Sequence, residues 1–163
     1  MQQDLKVSLK GGKQVEVSVL RMIISALNNR ETAKRTKIWK EKPKSKIEAL
    51  EKESKLTDEE VLEVLFFEVK KRKEACVEYE KGGRTDLIEQ EKKEIEIIQR
   101  YLPEQLSEEE IKKIAKEVIK KIGVTELKDI GKAMAELMPG VKGKADGALV
   151  SKIVKELLTP KNA

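Results

Sequence analysis

The chain has 163 residues, 40% of them charged and only 3% aromatic, with a net charge of +5 and an isoelectric point of about 9.1. That length fits one domain or two small ones, and so few aromatics require an aliphatic core and weaken any case for extensive base stacking. Histidine is absent and Cys76 is the only cysteine, which excludes the commonest general base and metal ligand, an intramolecular disulfide and a cysteine-rich metal site.

In chain order, residues 4–10 read as a short helix stopped by Gly11-Gly12. Residues 15–39 follow with Val17, Leu20, Ile24 and Leu27 at helical spacing, and Val19, Met22 and Ile23 widen the stripe, which predicts a central, well-buried helix. Residues 34–46 then carry seven cations and one acid, a local charge of +6 that exceeds the net charge of the whole chain. Pro43 breaks any helix there. The segment is expected to lack order and to be cut first by proteases, either as a flexible arm for polyanions or as a solvated insertion. Trp39 within it either stacks on a base or pins the segment to the body.

Thr57-Asp58-Glu59-Glu60 forms a capping box and opens a helix expected to bury Leu62, Leu65, Phe66, Val69 and Cys76. Lys70-Lys71-Arg72-Lys73 reads as a solvated face, from which Arg72 and Lys73 can reach acids of a partner helix. Lys81-Gly82-Gly83 stops this helix. Asp86 restarts one with Leu87, Glu91, Ile95, Ile98 and Leu102 on one side, so the pair predicts an antiparallel helical hairpin. Pro103 marks a domain boundary, giving residues 1–102 and 103–163. Ser107-Glu108-Glu109-Glu110 is a second capping box, and Ile111, Ile114, Ala115, Val118 and Ile122 make the stripe of its helix, closed by Gly123. Thr125 is expected to cap a short helix bearing Leu127, Ile130, Met134 and Leu137. Pro139 and three glycines rule out continuous helix through residues 137–147. Asp146 caps a last helix with Leu149, Ile153, Val154 and Leu157. No segment has useful strand periodicity. The fold class is therefore all-α: an N-terminal helical hairpin or bundle with a small C-terminal three-helix domain.

The functional inventory is sparse. No phosphate loop of the Gly-Lys-Ser/Thr type occurs. The clustered carboxylates open helices and read as caps, and Cys76 on an apolar stripe reads as a small buried hydrophobe. No catalytic residue, metal or cofactor is therefore expected. No apolar run of 18 residues occurs, and Met1-Gln2-Gln3-Asp4 lacks the features of a secretory signal, so the chain is expected to be cytoplasmic with no membrane partner. What remains is basic. Lys142-Gly143-Lys144, with Lys132 on the preceding helix, places cations beside glycine backbone ahead of a helix start, where a phosphate can approach closely. The alternative is a solvated turn between helices. Lys34, Arg35 and Lys37 offer a second candidate contact for a polyanion such as RNA.

Several blocks, in this order and spacing, resemble one family. They are Val19-Leu20-Arg21-Met22, Leu56-Thr57-Asp58-Glu59-Glu60, Tyr79-Glu80-Lys81-Gly82-Gly83-Arg84, Tyr101-Leu102-Pro103-Glu104-Gln105-Leu106, Gly131-Lys132-Ala133-Met134 and Met138-Pro139-Gly140-Val141-Lys142-Gly143-Lys144. Nearly the whole chain is similar to stand-alone YqeY-like proteins, which resemble the C-terminal tail of the GatB component of the glutamine-dependent aminoacyl-tRNA amidotransferase. The insertion near 34–55 departs from the pattern. The resemblance implies an all-helical protein with a three-helix C-terminal domain and, because the related tail helps hold tRNA while catalysis is done elsewhere, a non-catalytic accessory protein associated with tRNA or other RNA. The alternatives are a subunit supporting amide transfer on mischarged tRNA, partnered by an amidotransferase or translation component, and a protein-interaction adaptor.

Overall fold

Glycines and capping side chains set where the helices start and stop. The computed structural model describes residues 1–159, and among them are eight α-helices and no strand. They are α1 (Gln2–Lys10), α2 (Gln14–Glu41), α3 (Ile47–Ser54), α4 (Asp58–Lys81), α5 (Thr85–Gln99), α6 (Glu108–Ile122), α7 (Ile130–Val141) and α8 (Gly147–Leu158), with a 3₁₀ turn at Leu127–Asp129. Both capping boxes form. The Thr57 and Ser107 hydroxyls accept from the N–H groups of Glu60 and Glu110, whose carboxylates accept in return from the N–H groups of Thr57 and Ser107. Gly123 ends α6 at φ +68°, and an added Cβ would meet nothing within 4 Å, so the requirement for glycine there is one of backbone conformation alone.

The chain divides into two compact units, Met1–Leu102 and Pro103–Ala163. In the N-terminal unit α4 and α5 form a helical hairpin, with α2 against both. Val19, Ile23, Leu65, Val69, Ile95, Ile97 and Ile98 fill its core. Arg72 crosses the α4–α5 seam and is buried. Its Nη1 donates to Glu68 Oε2 at 2.8 Å and its Nε to Glu94 Oε2 at 3.1 Å, with Glu91 at 3.8 Å and Met22 Sδ against Nη2. Lys73, expected to cross with it, is exposed. Tyr101 donates to Asp4 Oδ2 at 2.8 Å and so holds α1. Burial, then this bond, push the Tyr101 phenol up to about 12.

Three expectations need correction. Residues 34–46 are not an unstructured arm. α2 runs on to Glu41, and α3, which no sequence signal announced, folds back on it by burying Leu50 and Ser54. Of the residues expected to be buried on α4, Leu62, Phe66 and Cys76 are only half-buried, whereas Glu68 and Arg72 are buried. Thr125 caps no helix. A 3₁₀ turn precedes α7, and Leu127 stays 47% exposed. The stretch 137–147 is not continuous helix, as expected, although Pro139 and Gly140 lie within α7, which ends after Val141, before α8 begins at Gly147. Proline at that depth forfeits one backbone bond near a helix end, and Leu137 and Val141, 1% and 0% exposed, hold the turn by packing.

The C-terminal unit packs α6, α7 and α8 around Ile111, Ala115, Ala133, Leu137, Val141, Val150, Ile153, Val154 and Leu158. Leu149 and Leu157, placed inside by the sequence pattern, are half-buried at its margin.

Candidate nucleic-acid interface

The turn between α7 and α8 is a built loop. Buried Val141 accepts at its carbonyl from the N–H groups of Lys144 (2.9 Å) and Ala145 (3.1 Å), which closes the turn. Gly143 takes φ +78°, a conformation that side-chain-bearing residues resist. The segment ahead of α6 clamps the turn from outside: Leu106 N–H donates to the Lys144 carbonyl at 2.8 Å, and Gln105 Nε2 to the Gly143 carbonyl at 3.3 Å. Asp146 then caps α8, its Oδ1 accepting from Ala148 N–H at 2.7 Å. That carboxylate occupies an N–H group an anion would otherwise use, so attraction at this spot rests on the lysines.

Lys142 and Lys144 are exposed on either side of Gly143, and Lys144 makes no ion pair among the described residues. Lys132 is not beside them. It lies ten positions earlier, near the start of α7, about 15 Å away along the axis, and pairs with Asp129 at 3.0 Å while remaining 77% exposed. Such a surface pair is weak and gives way readily to another anion. The sequence reading passed over Lys152 and Lys155. They are exposed on α8 and line a shallow open depression with Ala148, Ser151, Thr159 and the carboxylate of Glu156. Their positions alternate with the buried Val150, Ile153 and Val154, a signal visible only once the helix's inner face is known.

The second candidate set fares differently. Lys34 Nζ binds Glu60 Oε2 at 2.6 Å and the Lys55 carbonyl at 3.0 Å. Arg35 donates to Ser54 Oγ at 3.2 Å and lies 3.8 Å from Glu31. These two cations fasten α3 and α4 to α2. Lys34 is the first cause holding the Glu60 carboxyl below its ordinary value, followed by the Thr57 N–H. Only Lys37 of this set is exposed without an ion pair among the described residues. Among the described residues no group of three or more acidic or cysteine side chains is placed to hold a metal ion. No helix among them is long and apolar enough to cross a membrane.

The profile of the YqeY-like protein family matches residues 1–158. The chain belongs to the YqeY-like family. Among curated proteins, the chain is 43% identical over 65 residues to the uncharacterized protein C22F3.15 of Schizosaccharomyces pombe. That match covers 39% of this chain and 53% of the yeast protein, so the YqeY-like chain spans about half the length of that relative. The matched range begins in the N-terminal unit and takes in the loop Lys142-Gly143-Lys144.

Proposed function

We propose that this YqeY-like protein is a non-catalytic accessory factor that associates with tRNA or another structured RNA through its C-terminal unit. The observation that carries this reading is the clamped turn at Gly143, which holds Lys142 and Lys144 outward on a fixed backbone. A pre-set loop loses little conformational entropy when it meets a phosphate. Lys152 and Lys155 add positive charge on α8, in a depression that Glu156 shares and that the small residues Ala148 and Ser151 leave open to a sugar–phosphate backbone. Lys132 adds a more distant contact once its weak pair with Asp129 opens. Shape and phosphate contact suit a folded RNA, whose helical grooves are recognised largely in that way. Localisation in the cytoplasm and partnership with an amidotransferase or translation component belong to this same reading.

Titration against bulk tRNA tests it. The double variant Lys142→Glu, Lys144→Glu is expected to bind more weakly by over about 1 kcal/mol at low salt, with a shallower salt dependence, because each lost phosphate contact removes its counterion release. Neither side chain belongs to the core, so helicity and melting temperature stay close to wild type. Equal affinity in two folded proteins would remove the loop from the binding surface.

A further inference from the structure

The hairpin of α2 and α3 ends in a tip unlike the rest of the surface. Residues 37–48 hold five lysines against Glu41 and Glu48. Lys42 is committed to Glu53, 2.9 Å away, but Lys37, Lys40, Lys44 and Lys46 are exposed and make no ion pair among the described residues. Among them is Trp39, two residues before the end of α2 and 52% exposed. About half of the residue faces solvent. Lys34 and Arg35 hold the base of the hairpin, so the ring and its lysines are carried on a folded support.

We propose that this tip binds single-stranded RNA, with Trp39 stacking on an unpaired base and Lys37, Lys40, Lys44 and Lys46 engaging the flanking phosphates. An indole face offers every base a partner, so the contact is tolerant of sequence, and the lysines that precede and follow Trp39 along the chain supply charge for flanking phosphates. A lipid surface would use the same lysines. It gains little here, because Trp39 and Ile47 are separated in sequence by the polar turn and present no continuous amphipathic face. The site shares no residue with the loop at Gly143 and stands or falls apart from it.

Trp39 is the sole tryptophan, so the emission of the intact chain reports on the tip alone. Titration with oligouridylate is expected to quench it to saturation. Four phosphate contacts weaken the affinity by about 50-fold between about 50 and 200 mM salt. Trp39→Leu lowers the affinity for a labelled oligouridylate, read by anisotropy, by about tenfold, the loss of one base stack. The Lys142→Glu, Lys144→Glu variant keeps the quench, which separates this tip from the C-terminal loop. Emission that stays unchanged through the titration, whether or not anisotropy reports RNA bound elsewhere, overturns the proposal. So does a blue shift with phosphatidylserine vesicles in the absence of any response to RNA.

Discussion

Replacing Arg72 by methionine tests what holds the α4–α5 seam. Methionine keeps an unbranched apolar stem of similar reach, so the change removes chiefly the charge and its donors. Arg72 is 8% exposed at its side chain and Glu68 10%, while Glu91 and Glu94, at 21% and 17%, are better reached by water. Breaking a buried pair by deleting one partner costs about 3–5 kcal/mol. Water at Glu91 and Glu94 relieves part of that, so the expected loss is about 3 kcal/mol. In a unit of this size that corresponds to a fall in melting temperature on the order of 12–20 °C. Trp39 belongs to the same unit, so its emission follows this transition separately from the C-terminal one. Acid supplies the check on mechanism. Burial, then the charge of Glu94, raise the Glu91 carboxyl above 4.5. A carboxyl raised in the fold favours the folded state at low pH and opposes it as pH rises through the folded value. Protonation of Glu91 should therefore begin early on acidification, and the deficit of Arg72→Met should narrow towards pH 4.5. A fall of less than about 4 °C at pH 7, roughly 1 kcal/mol, would refute the reasoning, as would a deficit that does not change with pH.

Limited trypsin digestion, followed by mass spectrometry of the first fragments, should cut after Lys44 or Lys46 in the turn and spare residues 34–40 inside α2; a first cut after Lys34, Arg35, Lys37 or Lys40 would show that the end of α2 is not packed. In a spectrophotometric titration, Tyr101 should ionise near 12, and Asp4→Asn should bring it down. A phenol raised in this way stabilises the fold below its ordinary value near 10 and loses that contribution as pH rises through 12. Asp4, Glu60 and Glu110 are lowered, so they act in the opposite sense: their stabilisation is present above about 4 and fades as pH falls through their depressed values, visible as reduced melting temperature in acid.

Local chemistry made most of the helices readable. Thr57 and Ser107 announce α4 and α6 by side-chain spacing alone, and Gly12, Gly83 and Gly123 mark ends that need positive φ. The readings that failed depended on partners distant in sequence. α3 carries only Ile47 and Leu50 as large apolar residues and becomes a helix because Ser54, Lys55 and Glu60 meet Lys34 and Arg35 across 19 to 26 positions. Pro139 signals a break near the end of α7, and the packing of Leu137 and Val141 that carries the helix past it is tertiary. The candidate site divided along the same line. The flexible backbone of Gly143 was legible, but which lysines face outward was not. Lys34 and Lys37 look alike in sequence, and only the fold shows that one is an internal fastener and the other a surface cation.

One carboxylate oxygen, Glu60 Oε2, accepts both from Thr57 N–H at 2.8 Å and from Lys34 Nζ at 2.6 Å, and the same Nζ reaches the Lys55 carbonyl. Residues 34 and 55 are thereby stitched together at the base of the segment that carries the end of α2 and all of α3. Whatever lies between is a closed parenthesis. Its turn, residues 42–46, can change in length at a closure cost that grows only slowly. The segment is thus latched at its base by a single ammonium, and an exchange of surface residues beyond that latch is expected to leave the core of the N-terminal unit in place.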